Sequence, residues 1–310
     1  MGGLAALRLL HRDKFGVLMF HEFDVAYSAS LEPICEYIGR HFEPVSLATI
    51  AAGIHGEASL PSNAVTVTVD DGYRNFLTIG HPIFRKHSIP TTLFAVAGFA
   101  DRRLWLWPDV IAFVIDETSK KALNLKIENE HVLNLDLSSA SSKGASARTL
   151  CEALKMIPNE RRLKFLSDLA SLCDLEVPPL PPPHRASLSW DELRALAAEG
   201  VEIGCHTDSH PILSRVSEGS ELAREIRGAK EVMETRLKRK VEHFCYPNGR
   251  EIDISDAAVD CVREAGFASA VTCTYGLNTV KGDPLRILRL PVGGVTDLEY
   301  AAETLVGFHC

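Results

Sequence analysis

Residues 65–72 read Val-Thr-Val-Thr-Val-Asp-Asp-Gly. Val65, Val67 and Val69 alternate with Thr66 and Thr68, a two-residue period in β-branched side chains that predicts a strand. The strand runs directly into two carboxylates, Asp70 and Asp71, and then Gly72. Neighbouring side chains on a strand point to opposite faces. The two acids can therefore take different work, one holding a metal and the other taking a proton from water. These eight residues alone also describe a charged turn, since Asp-Gly is a common turn dipeptide. Their surroundings decide between the two.

Downstream, 74–87 reads as a helix stopped by Ser88-Ile89-Pro90, and 91–97 (TTLFAVA) as another buried strand. Strand, helix, strand at this spacing is a parallel βα unit. Upstream, the apolar run 17–21 (VLMFH) predicts a first strand ending in His21, with helices over 31–40 and 47–54 after it. The rhythm recurs in the second half. Ser189 and Glu192 form a capping box for a helix over 190–199, which Gly200 ends. A strand over 201–204 leads to His206, a long amphipathic helix spans 218–239, and a strand over 243–246 ends in Pro247-Asn248-Gly249. A helix over 257–265 and strands over 267–272 and 285–290 complete an α/β pattern.

Between 98 and 187 the rhythm breaks. Trp105-Leu106-Trp107-Pro108 precedes a helix over 109–115, followed by a polar stretch with strands at 123–127 and 131–135. Helices near 147–156 and 159–172 come next, then a proline-rich run over 177–184 that must be extended. The expectation is a single domain over 1–310 with an insertion at about 98–187. Either the insertion covers part of the barrel mouth or it is a surface elaboration.

Composition narrows the function classes. The chain has 310 residues, ample for a barrel with a large core, and 46% of them are hydrophobic. A formal net charge of −8 argues against a nucleic-acid partner, and the one basic cluster, 236–240, falls at the end of a predicted helix where it complements the dipole. Cysteines at 35, 151, 173, 205, 245, 261, 273 and 310 include no C-x-x-C pair, and several lie in apolar runs, which predicts reduced thiols and a cytoplasmic setting. The first 16 residues do not read as a signal peptide, and no run reaches the roughly 20 apolar residues of a membrane span.

His206 and His210 are four residues apart, which on a helical turn would put two imidazoles on one face, a geometry for one metal. His21, Asp70-Asp71, His206 and Tyr246-Pro247-Asn248 each follow a different predicted strand. In a parallel barrel those ends open on one face, and that face holds the site. Metal ligands, a carboxylate base and a histidine acid together describe metal-assisted hydrolysis.

These residues also resemble the polysaccharide deacetylases of carbohydrate esterase family 4, the NodB-homology group, in its exopolysaccharide-type branch. TVDDGY (68–73) is similar to the family's T-F-D-D-G motif, HTDSH (206–210) to its paired-histidine motif, and CYPNG (245–249) to its R-x-P-Y-G motif. The resemblance spans about 17–294 outside the insertion. It implies a distorted (β/α)7 barrel, with Asp71, His206 and His210 holding a divalent metal, zinc, and Asp70 taking the proton from the attacking water. A backbone N–H near Asn248 would stabilise the oxyanion. Two departures stand out. The family's base-tethering arginine is Cys245 here, with Arg289 the candidate replacement, and the motif's tyrosine is Asn248. The late Leu-x-x-His motif appears as LRLPV (288–292) without a histidine, so His21 becomes the candidate acid. The implied substrate is an N-acetylated amino-sugar oligo- or polysaccharide or its precursor. Rival readings are a deformylase of a lipid-linked amino sugar and a non-catalytic carbohydrate-binding barrel.

Overall fold

The computed structural model describes residues 2–127, 132–217, 219–294 and 297–308. His131, Glu218 and Cys310, assigned above to a strand, a helix and the reduced thiols, lie outside the described residues. The Val/Thr stretch forms strand β3 once the earlier strands β1 (Gly16–Phe20) and β2 (Glu43–Pro44) are counted, and β3 runs Ala64–Val69 with every residue buried. Both faces are covered because the strand lies in a barrel wall. The valines pack outward in the large core shared with the helices. Thr68 instead donates its hydroxyl to the Leu18 carbonyl at 2.7 Å.

The remaining strands are β4 (Thr91–Ala95), β5 (Ala122–Lys126), β6 (Val132–Asp136), β7 (Glu202–Cys205), β8 (His243–Cys245), β9 (Ser269–Tyr275) and β10 (Ile287–Pro291). The main sheet runs β1-β10-β9-β8-β7-β4-β3-β2, and a further β1–β3 pairing closes seven of these strands into a parallel barrel, with β2 as a short addition to β3. This is the distorted (β/α)7 barrel that the motifs imply. Because all seven strands are parallel, the residues after Phe20, Val69, Cys205 and Cys245 emerge at one rim.

The helices follow the sequence reading with shifted ends. Val25–His41 starts earlier than expected because Asp24 caps it, accepting the Tyr27 N–H at 2.6 Å. Ser189 and Glu192 form the capping box, and Gly200 takes φ +95° after the helix Trp190–Ala198. The expected helices over 74–87 and 218–239 each contain a π-turn, at Phe76–Gly80 and Arg224–Gly228. A helix at Gly2–Leu10 has no counterpart in the sequence reading.

The segment after β4 builds its own core. Helices Trp107–Glu117, Ala140–Leu154 and Asn159–Leu172 pack with the antiparallel β5–β6 hairpin around Ile111, Val114, Leu125, Leu150 and Leu169. Ile212, from the loop after β7, joins that core and ties it to the barrel. Tyr73, next to the Asp-Asp-Gly turn, donates its hydroxyl to Asp109 at 2.9 Å, and Arg185 pairs with the same carboxylate from the other end of the insertion.

Candidate active site at the barrel rim

Asp70 and Asp71 follow β3, and the backbone turns sharply between them. Asp71 takes a left-handed φ of 73° and Gly72 one of 87°. The turn sends the two carboxylates apart. Asp70 points into the barrel, 1% exposed, and Arg289 of β10 grips it with two parallel hydrogen bonds of 2.7 Å, Nη1 to Oδ1 and Nη2 to Oδ2. Arg289 is fully buried, and its remaining donors reach the Thr272 carbonyl at 2.6 Å and the Thr68 hydroxyl at 3.1 Å. The β9–β10 register shifts between Ile287 and Arg289, an irregularity of the kind that re-aims a side chain. Burial alone would raise the Asp70 carboxyl. The Arg289 charge and hydrogen bonds overcome that and hold it well below the usual carboxylate range. Cys245 lies against the same pair, its sulfur 3.3 Å from Arg289 Nη2 and 3.5 Å from Asp70 Oδ2.

Asp71 turns the other way, towards the histidines. Its Oδ1 lies 3.5 Å from His206 Nε2 and 3.3 Å from His210 Nε2. The spacing of the two histidines suggests a helical turn, but the segment is a loop. Thr207 and His210 take left-handed φ of 68° and 58°, and the Thr207 hydroxyl accepts the His210 N–H at 2.9 Å. Such conformations cost of order 1–3 kcal/mol each in a non-glycine residue and persist where the surroundings impose them. Here they bring the rings to 4.8 Å between centroids.

The three atoms suit a metal ion. Tetrahedral bonds of about 2.1 Å place neighbouring ligand atoms about 3.4 Å apart; the Asp71–histidine separations are 3.3 and 3.5 Å. His206 donates Nδ1–H to the Cys245 carbonyl at 2.7 Å, which fixes the tautomer and leaves the Nε2 lone pair facing Asp71. Burial pushes the His210 imidazole down to about 3, opposed by the Asp71 charge, so the ring is neutral and able to ligate at neutral pH.

His21 follows β1 and stands 3.7 Å from Asp70 Oδ2 through Nε2, with 46% of its side chain exposed. Asn248 takes φ 58° in the loop after β8, and its side-chain amide donates to Asp253. Gly249 beside it must be glycine, because a Cβ there would lie 2.8 Å from the Tyr246 carbonyl and 2.9 Å from the Cys273 nitrogen. His21, Asp70, Asp71, His206, His210 and Asn248 line one cavity of about 240 Å³. Arg289 is brought to it only through Asp70. Trp107, Pro108 and Lys155 of the insertion line the same cavity. Sequence reasoning missed all three as site residues; the Trp-Pro pair before a helix was the only signal. His21 also borders a neighbouring cavity of about 670 Å³, with Glu22, Arg74 and Arg185.

No curated protein matches the sequence. Solved structures do match the fold. The Streptococcus pyogenes deacetylase PplD in complex with acetate superposes with a TM-score of 0.61 at 13% identity, covering 94% of this chain and 98% of that one. IcaB from Ammonifex degensii gives 0.59 at 16%, covering 95% and 98%. A de-N-acetylase from Aggregatibacter actinomycetemcomitans gives 0.58 at 16%, covering 93% and 100%. At such identities the likeness is one of fold. The family itself is shown by sequence: the polysaccharide deacetylase model matches residues 57–270, a span that holds Asp70, Asp71, His206 and His210, and the chain belongs to the polysaccharide deacetylase family.

Proposed function

We propose that the protein is a metal-dependent hydrolase that removes the N-acetyl group from an amino-sugar unit of an oligo- or polysaccharide or of its biosynthetic precursor. The observation that carries the reading is the split turn. One carboxylate faces two imidazole nitrogens at metal-ligand spacing, and the next, in the same cavity, is clamped by a buried arginine. Asp71, His206 and His210 would hold the metal, zinc by the nitrogen and oxygen donor set. When bound, the metal supplies a Lewis acid for the attack of water on the acetamido carbonyl.

The chain's own residues perform the rest. Asp70 accepts the proton of the attacking water, with Arg289 fixing the carboxylate in place. Arg289 thus acts as a positioning residue in the role that Cys245 cannot fill. Among the described residues the Asn248 backbone N–H meets no protein acceptor, so it is free to donate to the developing oxyanion. His21, partly exposed and within 4 Å of Asp70, protonates the leaving amine as the tetrahedral intermediate collapses. The cavity beside His21 gives the adjoining sugar room. Buried thiols such as Cys35, Cys205 and Cys245 support a reducing, cytoplasmic setting. No described helix is long and apolar enough to cross a membrane.

The direct test joins metal analysis to acetate release from a chitooligosaccharide. The wild type should contain about one zinc per chain and release acetate, and His206→Ala should lose both while keeping its circular dichroism spectrum. A His206→Ala protein with full zinc and normal acetate release would refute the ligand assignment. A metal-loaded wild type that binds the oligosaccharide and releases no acetate would favour the non-catalytic reading.

A further inference from the structure

A second cavity, of about 650 Å³, lies between the insertion and the loop after β7. Trp107 lines both this cavity and the catalytic one. The second cavity's wall has an unusual donor balance. Arg162 is 1% exposed, yet its Nε and Nη1 meet no acceptor among the described residues, and neither do the buried indole N–H groups of Trp105 and Trp107. Four orphaned donors on three lining residues are a poor way to fill a core, because each loses its water without a replacement. The third tryptophan shows the ordinary solution: Trp190 donates its indole N–H to Asp101 at 2.7 Å.

The neighbouring acceptors are already engaged. Glu225, the buried carboxylate of the wall, takes the N–H groups of Asp208 and Ser209 and the Ser209 hydroxyl at 2.7–3.1 Å. Asp208 pairs with Arg103 at 2.6 Å. Asn159 accepts a single hydrogen bond from Arg162 through Nη2. The guanidinium carbon lies 4.7 Å from the Trp107 ring centroid, a cation–π contact that leaves its donors unsatisfied. The planar fork of a guanidinium matches a carboxylate or a phosphate, and indole faces pack against sugar rings.

We propose that this cavity is a second binding site, taking a sugar-sized ligand that carries one oxyanion, a carboxylate or a phosphate ester, on Arg162 against Trp105 and Trp107. The volume suits a ligand of that size. Withdrawal of Arg162 from bulk water strengthens the pairing with the anion. The site needs neither the metal ligands nor Asp70, and it shares only Trp107 with the lining of the catalytic cavity.

The test reads binding and leaves turnover aside, so its failure is distinct from failure of the deacetylase reading. The full-length protein is titrated with D-glucuronate, glucose 6-phosphate and glucose, and tryptophan fluorescence is followed. At least one anion should give a saturable change in the millimolar range, and glucose none. Response to glucuronate alone would identify a carboxylate site, response to glucose 6-phosphate alone a phosphate site, and response to both a general oxyanion site. Arg162→Met should weaken binding about tenfold or more, whereas His206→Ala or chelation of metal should leave it unchanged. Should Arg162→Met fail to fold, the indole N–H resonances of the ¹⁵N-labelled wild type decide. Those of Trp105 and Trp107 should shift with the anion while that of Trp190 stays. The proposal is overturned if neither anion binds, if glucose binds equally well, if the indole signals of Trp105 and Trp107 do not move, if binding survives Arg162→Met undiminished, or if binding disappears with the metal.

Discussion

At the scale of single residues, Asp70 presents a tension between position and basicity. A carboxylate held by a buried guanidinium is a weaker base than a free one, since the pair stabilises its charged form. The compensation is orientation: the two parallel bonds leave the carboxylate a single pose, and catalysis gains more from a placed base than from a strong one that wanders. Asp70→Asn tests this directly, because the amide keeps the shape and an oxygen for Arg289 but cannot accept the water's proton. Zinc content should match the wild type while acetate release falls by about 10²–10⁴-fold. A fully active Asp70→Asn, or one that has lost its metal, would show that the two carboxylates are assigned the wrong way round. His21 tests the opposite end of the reaction. His21→Ala should hold its metal and lose turnover by a similar factor of about 10²–10⁴. Activity per bound metal is the measurement that matters. Normal turnover per metal in a less stable His21→Ala protein would make His21 a packing residue of the rim.

At the scale of elements, the insertion is fastened to the barrel at the Asp-Asp-Gly turn itself. Tyr73 donates to Asp109, Arg185 closes on the same carboxylate, the Arg74 N–H donates to Ala186 at 2.8 Å, and the Leu188 N–H returns to Gly72 at 2.9 Å. The proline-rich run therefore ends by pairing with the residues that follow the Asp-Asp turn, in a short bridge between Tyr73 and Ser187. Asp109→Asn should weaken that fastening by about 1–3 kcal/mol, the scale of hydrogen bonds to a charged group. Amide exchange should quicken in Trp107–Glu117 and leave β3 protected. KM should rise more than kcat falls, because Trp107 and Pro108 line the cavity without entering the chemistry. Equal exchange gains in β3 would mean that Asp109 supports the barrel as much as the insertion. Element type was readable wherever period and caps agreed, as in β3 and the Ser189 helix. Local irregularities were not. The π-turn at Arg224–Gly228 sits in an unbroken amphipathic pattern, and a four-residue histidine spacing fits a helix and a left-handed loop equally well.

At the scale of the molecule, the site exists only because the barrel closes. Asp71 comes from the end of β3 and the histidines from the end of β7, with β4 between them in the sheet, while Arg289 reaches Asp70 from β10 across the interior. The sequence exposed these residues because charge at the end of an apolar strand is conspicuous, and Arg289 stands out in the same way between Leu288 and Leu290. It concealed Lys155 and Arg162, since nothing local distinguishes them from the packing and surface residues of helices, and it marked Trp107 only by the proline that follows it. Only tertiary contact brings Trp107 and Lys155 to the rim and buries Arg162. A metal held between β3 and β7, as proposed, would join two stretches of chain that meet only in the folded state, so it would bind the native form and stabilise it by mass action. At a hundredfold excess of zinc over Kd the gain is about 2.7 kcal/mol, or about 4 °C in Tm for a chain of this length. Chelation of the loaded protein should lower Tm by that amount, and zinc should restore it. In His206→Ala the zinc-dependent shift should vanish, because the two remaining ligands no longer enclose the ion from both strands. A shift that persists in His206→Ala would place the stabilising metal elsewhere in the molecule, and the rim would then have to be read as a site that works without it.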